Sequence, residues 1–85
     1  MTINPIIYDA DDWRVIRINP IDFRVERHYK GTDHVDSALV SLRETVHPGL
    51  REFIVVRGPF YSYQLPAELA RAMWHAVTHG LGIRL

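Results

Sequence analysis

Two histidines, His75 and His79, stand four residues apart near the C-terminal end of the sequence. On a helix that spacing puts both imidazoles on one face, an arrangement in which two side chains can grip one metal ion. No Glu follows His75, so the zinc-protease pattern is absent, and a third ligand would have to come from His28, His34 or His47. The plainer expectation is an exposed helix face shared with Glu68 and Arg71, its histidines near a helix C-terminus where positive charge is favoured. On that reading the chain holds no metal and no cofactor.

The other reactive residue types are sparse. Asp9, Asp11 and Asp12 echo part of a calcium loop, but the required glycine and distal Glu are missing. A solvated turn between strands is expected there. Ser37, Ser41 and Ser62 lie outside any Gly-x-Ser-x-Gly context, and there is no Gly-rich phosphate loop. Arg57 to Tyr63 has the basic and aromatic flavour of an RNA-stacking strand, but Pro59 and Phe60 stand where an aromatic and a small residue belong. No catalytic constellation emerges, and the chain is read as a non-enzyme.

The aromatic residues carry more information. Phe60, Tyr61 and Tyr63 crowd one short segment next to Arg57, and Trp74 sits one position off the apolar stripe of the last helix. Tyr, Trp and Arg are the residue types that dominate interface hot spots. Arg57, Tyr61, Tyr63 and Trp74 are therefore expected to anchor a protein partner. Basic side chains gather elsewhere, with Arg14, Arg17, Arg24, Arg27 and Lys30 falling in one stretch. That stretch supports an alternative, sequence-tolerant nucleic-acid binding.

These residues need elements to position them. Residues 13–18 are β-branched and aromatic and read as a strand. Asn19-Pro20-Ile21-Asp22 has turn chemistry. Residues 23–29 then alternate, with Phe23, Val25, Arg27 and Tyr29 on one face and Arg24, Glu26 and His28 on a wet face. Those three polar residues would give a partner its specificity. Gly31-Thr32-Asp33 reads as a helix start, and Val35, Ala38, Leu39, Leu42 and Val46 recur at helical spacing up to the stop His47-Pro48-Gly49. Residues 52–57 form the most apolar strand, 60–63 a fourth, shorter strand, and Pro66 opens a last helix lined by Leu69, Met73, Val77 and Leu81 and ended by Gly80 or Gly82. A short extra strand near Pro5–Tyr8 is allowed for. The predicted class is α+β: a small single domain over 1–85, ordered β-β-α-β-β-α, with an antiparallel sheet of about four strands and two helices packed on one face. The other face of the sheet is then open.

Composition narrows the field. The sequence has 85 residues, 10 basic and 10 acidic, and zero formal net charge, with 47% hydrophobic and 24% charged side chains. That is a globular balance with room for one domain. Zero net charge argues against a general nucleic-acid binder, which usually carries a basic excess. The absence of cysteine excludes disulfides and thiolate metal sites and favours an intracellular setting. No apolar run approaches the ~20 residues that span a bilayer, and the first dozen residues lack a signal-peptide pattern. So small a domain is marginally stable alone, which makes a homodimer or a foreign partner part of the expectation.

The run Trp13-Arg-Val-Ile-Arg-Ile, Asn19-Pro20-Ile-Asp-Phe23-Arg-Val25 and Ser37-Ala38-Leu39-Val-Ser-Leu42 resembles small accessory proteins of tailed bacteriophages and prophages. The resemblance covers residues 13–46. Its motifs are structural, so no functional residue is carried over. It implies a context, the cytoplasm of a bacterial host, and a mode of action, stoichiometric binding that sterically inhibits a host protein. Inhibitors of bacterial immunity such as anti-CRISPR proteins belong to that group.

Overall fold

The computed structural model describes residues 5–79. Five strands, β1 (Ile6–Ala10), β2 (Trp13–Arg17), β3 (Asp22–His28), β4 (Val35–Glu44) and β5 (Arg51–Arg57), are followed by a 3-10 turn (Ser62–Gln64) and one helix, α1 (Ala67–His79). The strands form a single antiparallel sheet in chain order. Each connection is short because each strand pairs with the next. Asp11 takes the left-handed conformation (φ 55°) in the two-residue link from Ala10 to Trp13. Asp11 and Asp12 thus form the expected turn, while Asp9 lies in β1, paired with Arg14. Asn19 closes the β2–β3 link, its Oδ1 accepting from the backbone N–H of Ile21 (3.0 Å) and Asp22 (2.9 Å).

Alternation decides which side chains are buried. Val15 of β2, Phe23 and Val25 of β3, Ala38, Val40 and Leu42 of β4 and Phe53 of β5 form one apolar surface. Helix α1 covers it with Leu69, Met73 and Ala76, spaced four and three residues apart. Tyr8 joins from the edge strand, and Phe60 closes the core with its ring edge-on to Trp13 at 5.4 Å. The expected stripe residue Val77 packs at the margin of the core. Leu81 and the expected stops Gly80 and Gly82 lie outside the described residues.

The predicted class holds at the level of a small α+β domain with an antiparallel sheet, and two elements are corrected. The helix expected after Gly31 is the ten-residue strand β4, so there is one helix and not two. Its helical spacing depended on Val35 and Val46, yet Val35 is exposed and Val46 is 91% exposed in the turn after the strand. The period that governs burial is two, in Ala38, Val40 and Leu42. Pairing with both β3 and β5 satisfies the backbone on each side. At the expected helix start Thr32 instead locks a turn: its hydroxyl donates to the Tyr29 carbonyl (2.9 Å) and accepts from the His34 N–H (3.0 Å). The fourth strand expected over 60–63 is likewise a turn, held by Gln64, whose Oε1 accepts from the Tyr61 N–H at 2.7 Å. In place of a strand, Ser62 Oγ accepts the Val55 N–H (2.9 Å) and so shields part of the β5 edge.

Candidate functional site

The face of the sheet opposite α1 is covered by no described element. Register builds it row by row. Arg14 of β2 lies beside Glu26 of β3, and Glu26 beside Ser37 of β4. In the next row come Ile16, Arg24, Leu39 and Arg57. Asp22, Ser41 and Ile54 form a third.

Arg57 reaches this face through an irregularity. Phe53 and Val55 face the core, and strict alternation would send Arg57 there too. Between Leu39 and Val40 the register slips, pairing Leu39 with Arg57 but Val40 with Val55, so Val56 is the extra residue of a β-bulge. The bulge turns Arg57 onto the side of Leu39. Gly58 follows with φ 151°, its α-carbon pressed so closely on β4 that an added Cβ would meet Ala38 Cβ at 2.4 Å. Only glycine fits there.

A pocket of about 280 Å³ results, lined by Ile18, Arg24, Ser37, Ala38, Leu39 and Arg57. Arg24 contacts Glu26 (Nε to Oε2, 3.5 Å), and Glu26 also holds His28 (3.0 Å). Among the described residues Arg57 forms no ion pair. It also lines a second hollow, of about 250 Å³, formed by residues 55–62 and including Tyr61. Tyr61 and Tyr63 stack on each other (centroids 5.6 Å, planes 6° apart) and are 67% and 83% exposed. The chain thus presents a continuous strip: apolar Ile18 and Leu39, two guanidinium groups, then two aromatic rings.

Of the residues singled out from sequence, Arg24, Arg57 and Tyr61 come together, Tyr63 joins by stacking, and Glu26 and His28 adjoin through Arg24. Trp74 does not join them. It lies on α1, on the other side of the sheet, where its ring packs edge-on against Phe53 at 5.1 Å. Ile18, Ser37 and Leu39 were missed, the last two because a helix was expected through them. Their signal was the polar-apolar alternation of β4.

The five cations of the first hairpin do not form one surface. Arg14 and Arg24 belong to the open face, each beside a carboxylate, Arg14 at 3.6 Å from Asp9. Arg17 and Arg27 belong to the helix side. Arg17 donates to the carbonyls of Asn19 (3.1 Å) and Pro20 (3.0 Å), bracing the turn. Arg27 sits 5.1 Å from both the Trp13 and Tyr29 rings, a cation–π sandwich. Lys30 is exposed in the following loop.

Two polar clusters fix the ends of the strands. At one end Tyr29 donates to Asp36 (2.7 Å), which also contacts His34 (2.8 Å). The Tyr29 bond holds the Asp36 carboxyl below its ordinary range and raises the Tyr29 hydroxyl. At the other end Asp22 accepts from Ser41 (2.5 Å) and Asn19 (2.7 Å), bonds that hold its carboxyl low. A carboxyl lowered by folding contributes stability above its unfolded value of ~3.9 and loses it as pH falls through the folded value. Tyr29 has the opposite sign, contributing below ~10 and losing its share as pH rises. Asp22→Asn is therefore expected to lower the urea midpoint at pH 7 more than at pH 3. An equal loss at both would contradict the assignment.

No family model, curated protein or solved structure matches the chain. Among the described residues no three His, Asp or Glu side chains form a metal-holding group. No described helix is long and apolar enough to cross a membrane.

Proposed function

We propose that this protein is a non-enzymatic binder that acts one-to-one, occupying the surface of a bacterial host protein through the outer face of its sheet. The observation that carries this reading is the continuity of Ile18, Leu39, Arg24, Arg57 and Tyr61 around one uncovered strip. Apolar centres flanked by arginine and tyrosine suit protein recognition. Arg57, free of a described ion pair, asks for a carboxylate from outside, so the partner presents an acidic side chain next to an apolar one. The resemblance to phage accessory proteins supplies the setting. There such binding inhibits by steric occlusion, with a bacterial defence component such as a CRISPR–Cas complex as one target.

A second reading takes the same strip as a single-stranded nucleic-acid site. It would use Arg57 for phosphate and the stacked Tyr61 and Tyr63 for bases, in place of the hairpin cations. One experiment separates the two. Tagged protein is used to capture partners from nuclease-treated bacterial lysate, with Arg57→Glu and Trp74→Ala run in parallel. The protein-binding reading expects one stoichiometric host protein, retained by W74A and lost from R57E. Capture seen only without nuclease would replace it with the nucleic-acid reading.

A further inference from the structure

We propose that His75 and His79 form a two-imidazole site for a divalent late transition metal on the exposed face of α1, separate from the outer face of the sheet. Three observations converge. The rings are already stacked, with centroids 4.2 Å apart and planes 18° apart. Around an ion with metal–nitrogen bonds of ~2.0–2.1 Å the two nitrogens lie about 3 Å apart and each bond runs in its ring plane, so both exposed rings turn out of the stack to close on one ion.

The surroundings of His79 favour one tautomer. Its Nδ1 lies 3.2 Å from the His75 carbonyl, which can only accept, and that favours a proton on Nδ1. Thr78 agrees with this. Its hydroxyl donates to the Trp74 carbonyl at 2.9 Å, leaving an oxygen lone pair to accept from His79 Nδ1, also at 2.9 Å. In that tautomer Nε2 of His79 bears the free lone pair. Metal-bound histidines are commonly oriented by such a bond from their other ring nitrogen to a backbone carbonyl.

The third observation is electrostatic. His79 lies in the last turn of α1, where the helix dipole favours a cation. Arg71, one turn before His75, is a like charge farther from that end. Two nitrogen ligands leave the remaining positions open to water or to a side chain of a bound protein. Imidazole ligation and the divalent affinity order place Cu²⁺ ahead of Ni²⁺.

The test is calorimetric titration of tag-free protein with CuCl₂ and NiCl₂, beside His75→Ala, His79→Ala and His47→Ala. All three positions are exposed, and circular dichroism checks that each variant folds. One ion per chain is expected, Cu²⁺ tighter than Ni²⁺, with at least tenfold weaker binding in H75A and in H79A and none of that loss in H47A. Equal losses in all three variants would mean scattered single-histidine binding and would overturn the proposal. So would the absence of a one-to-one transition in the unaltered protein.

Discussion

Replacing Gly58 with alanine is expected to lower stability by ~2–4 kcal/mol, a large part of what a domain this size possesses. Two costs add. The backbone there has φ 151°, which L side chains rarely adopt, and the new Cβ would lie 2.4 Å from Ala38 Cβ and 2.7 Å from Ala38 Cα. The second obstacle is backbone, so no rotamer change relieves it. β5 would have to move away from β4, undoing the bulge that directs Arg57. Gly31 and Gly49 provide the comparison. Both have positive φ (82° and 83°) but nothing within 4 Å of an added Cβ. Alanine at either position should cost only the left-handed backbone term, about 1–2 kcal/mol. Urea denaturation of the three variants measures the difference. A Gly58 variant no less stable than the other two would mean that the close approach of β5 to β4 is not maintained in solution.

That glycine also marks how far the fold could be read from sequence. Strands β2, β3 and β5 announce themselves by β-branched and alternating residues, and α1 by its apolar stripe behind Pro66. Strand β4 did not, because Val-Asp-Ser-Ala-Leu-Val-Ser-Leu fits two periods at once. Ala38 and Leu42 are four apart and two strand repeats apart, so they serve either pattern. What decides is tertiary: β3 and β5 each present an edge to be paired, and only an extended segment pairs with both. The same limit applies to the candidate site. Arg24 and Arg57 could be picked out by type, but their meeting across Leu39 depends on a strand taken for a helix and a bulge that alternation does not announce. Trp74 shows the converse. An aromatic residue off the stripe reads as a partner anchor, and although it is 39% exposed its ring rests on Phe53, on the helix side of the sheet and away from Arg57 and Tyr61.

Reversing the charge at Arg57 is expected to weaken partner binding at least 30-fold, about 2 kcal/mol, while leaving the fold intact. Arg57 is exposed and makes no described ion pair, so its removal strands no buried charge. Two losses then coincide in the complex. The partner's carboxylate loses its charge-assisted bonds, and the introduced carboxylate both repels it and competes for Arg24 across Leu39. Tyr61→Ala should give a smaller loss, because it removes contact area without introducing a repelling charge. Trp74→Ala should leave affinity unchanged while lowering stability, since its ring covers Phe53 of the core. Surface plasmon resonance against the captured partner, paired with urea midpoints, separates the two kinds of effect. Arg57→Glu should also steepen dissociation more than it slows association, because a contact at the centre of an interface acts mainly on the lifetime of the complex. If Trp74→Ala abolished binding and Arg57→Glu did not, the docking surface would belong to the helix side and the open face would need another occupant.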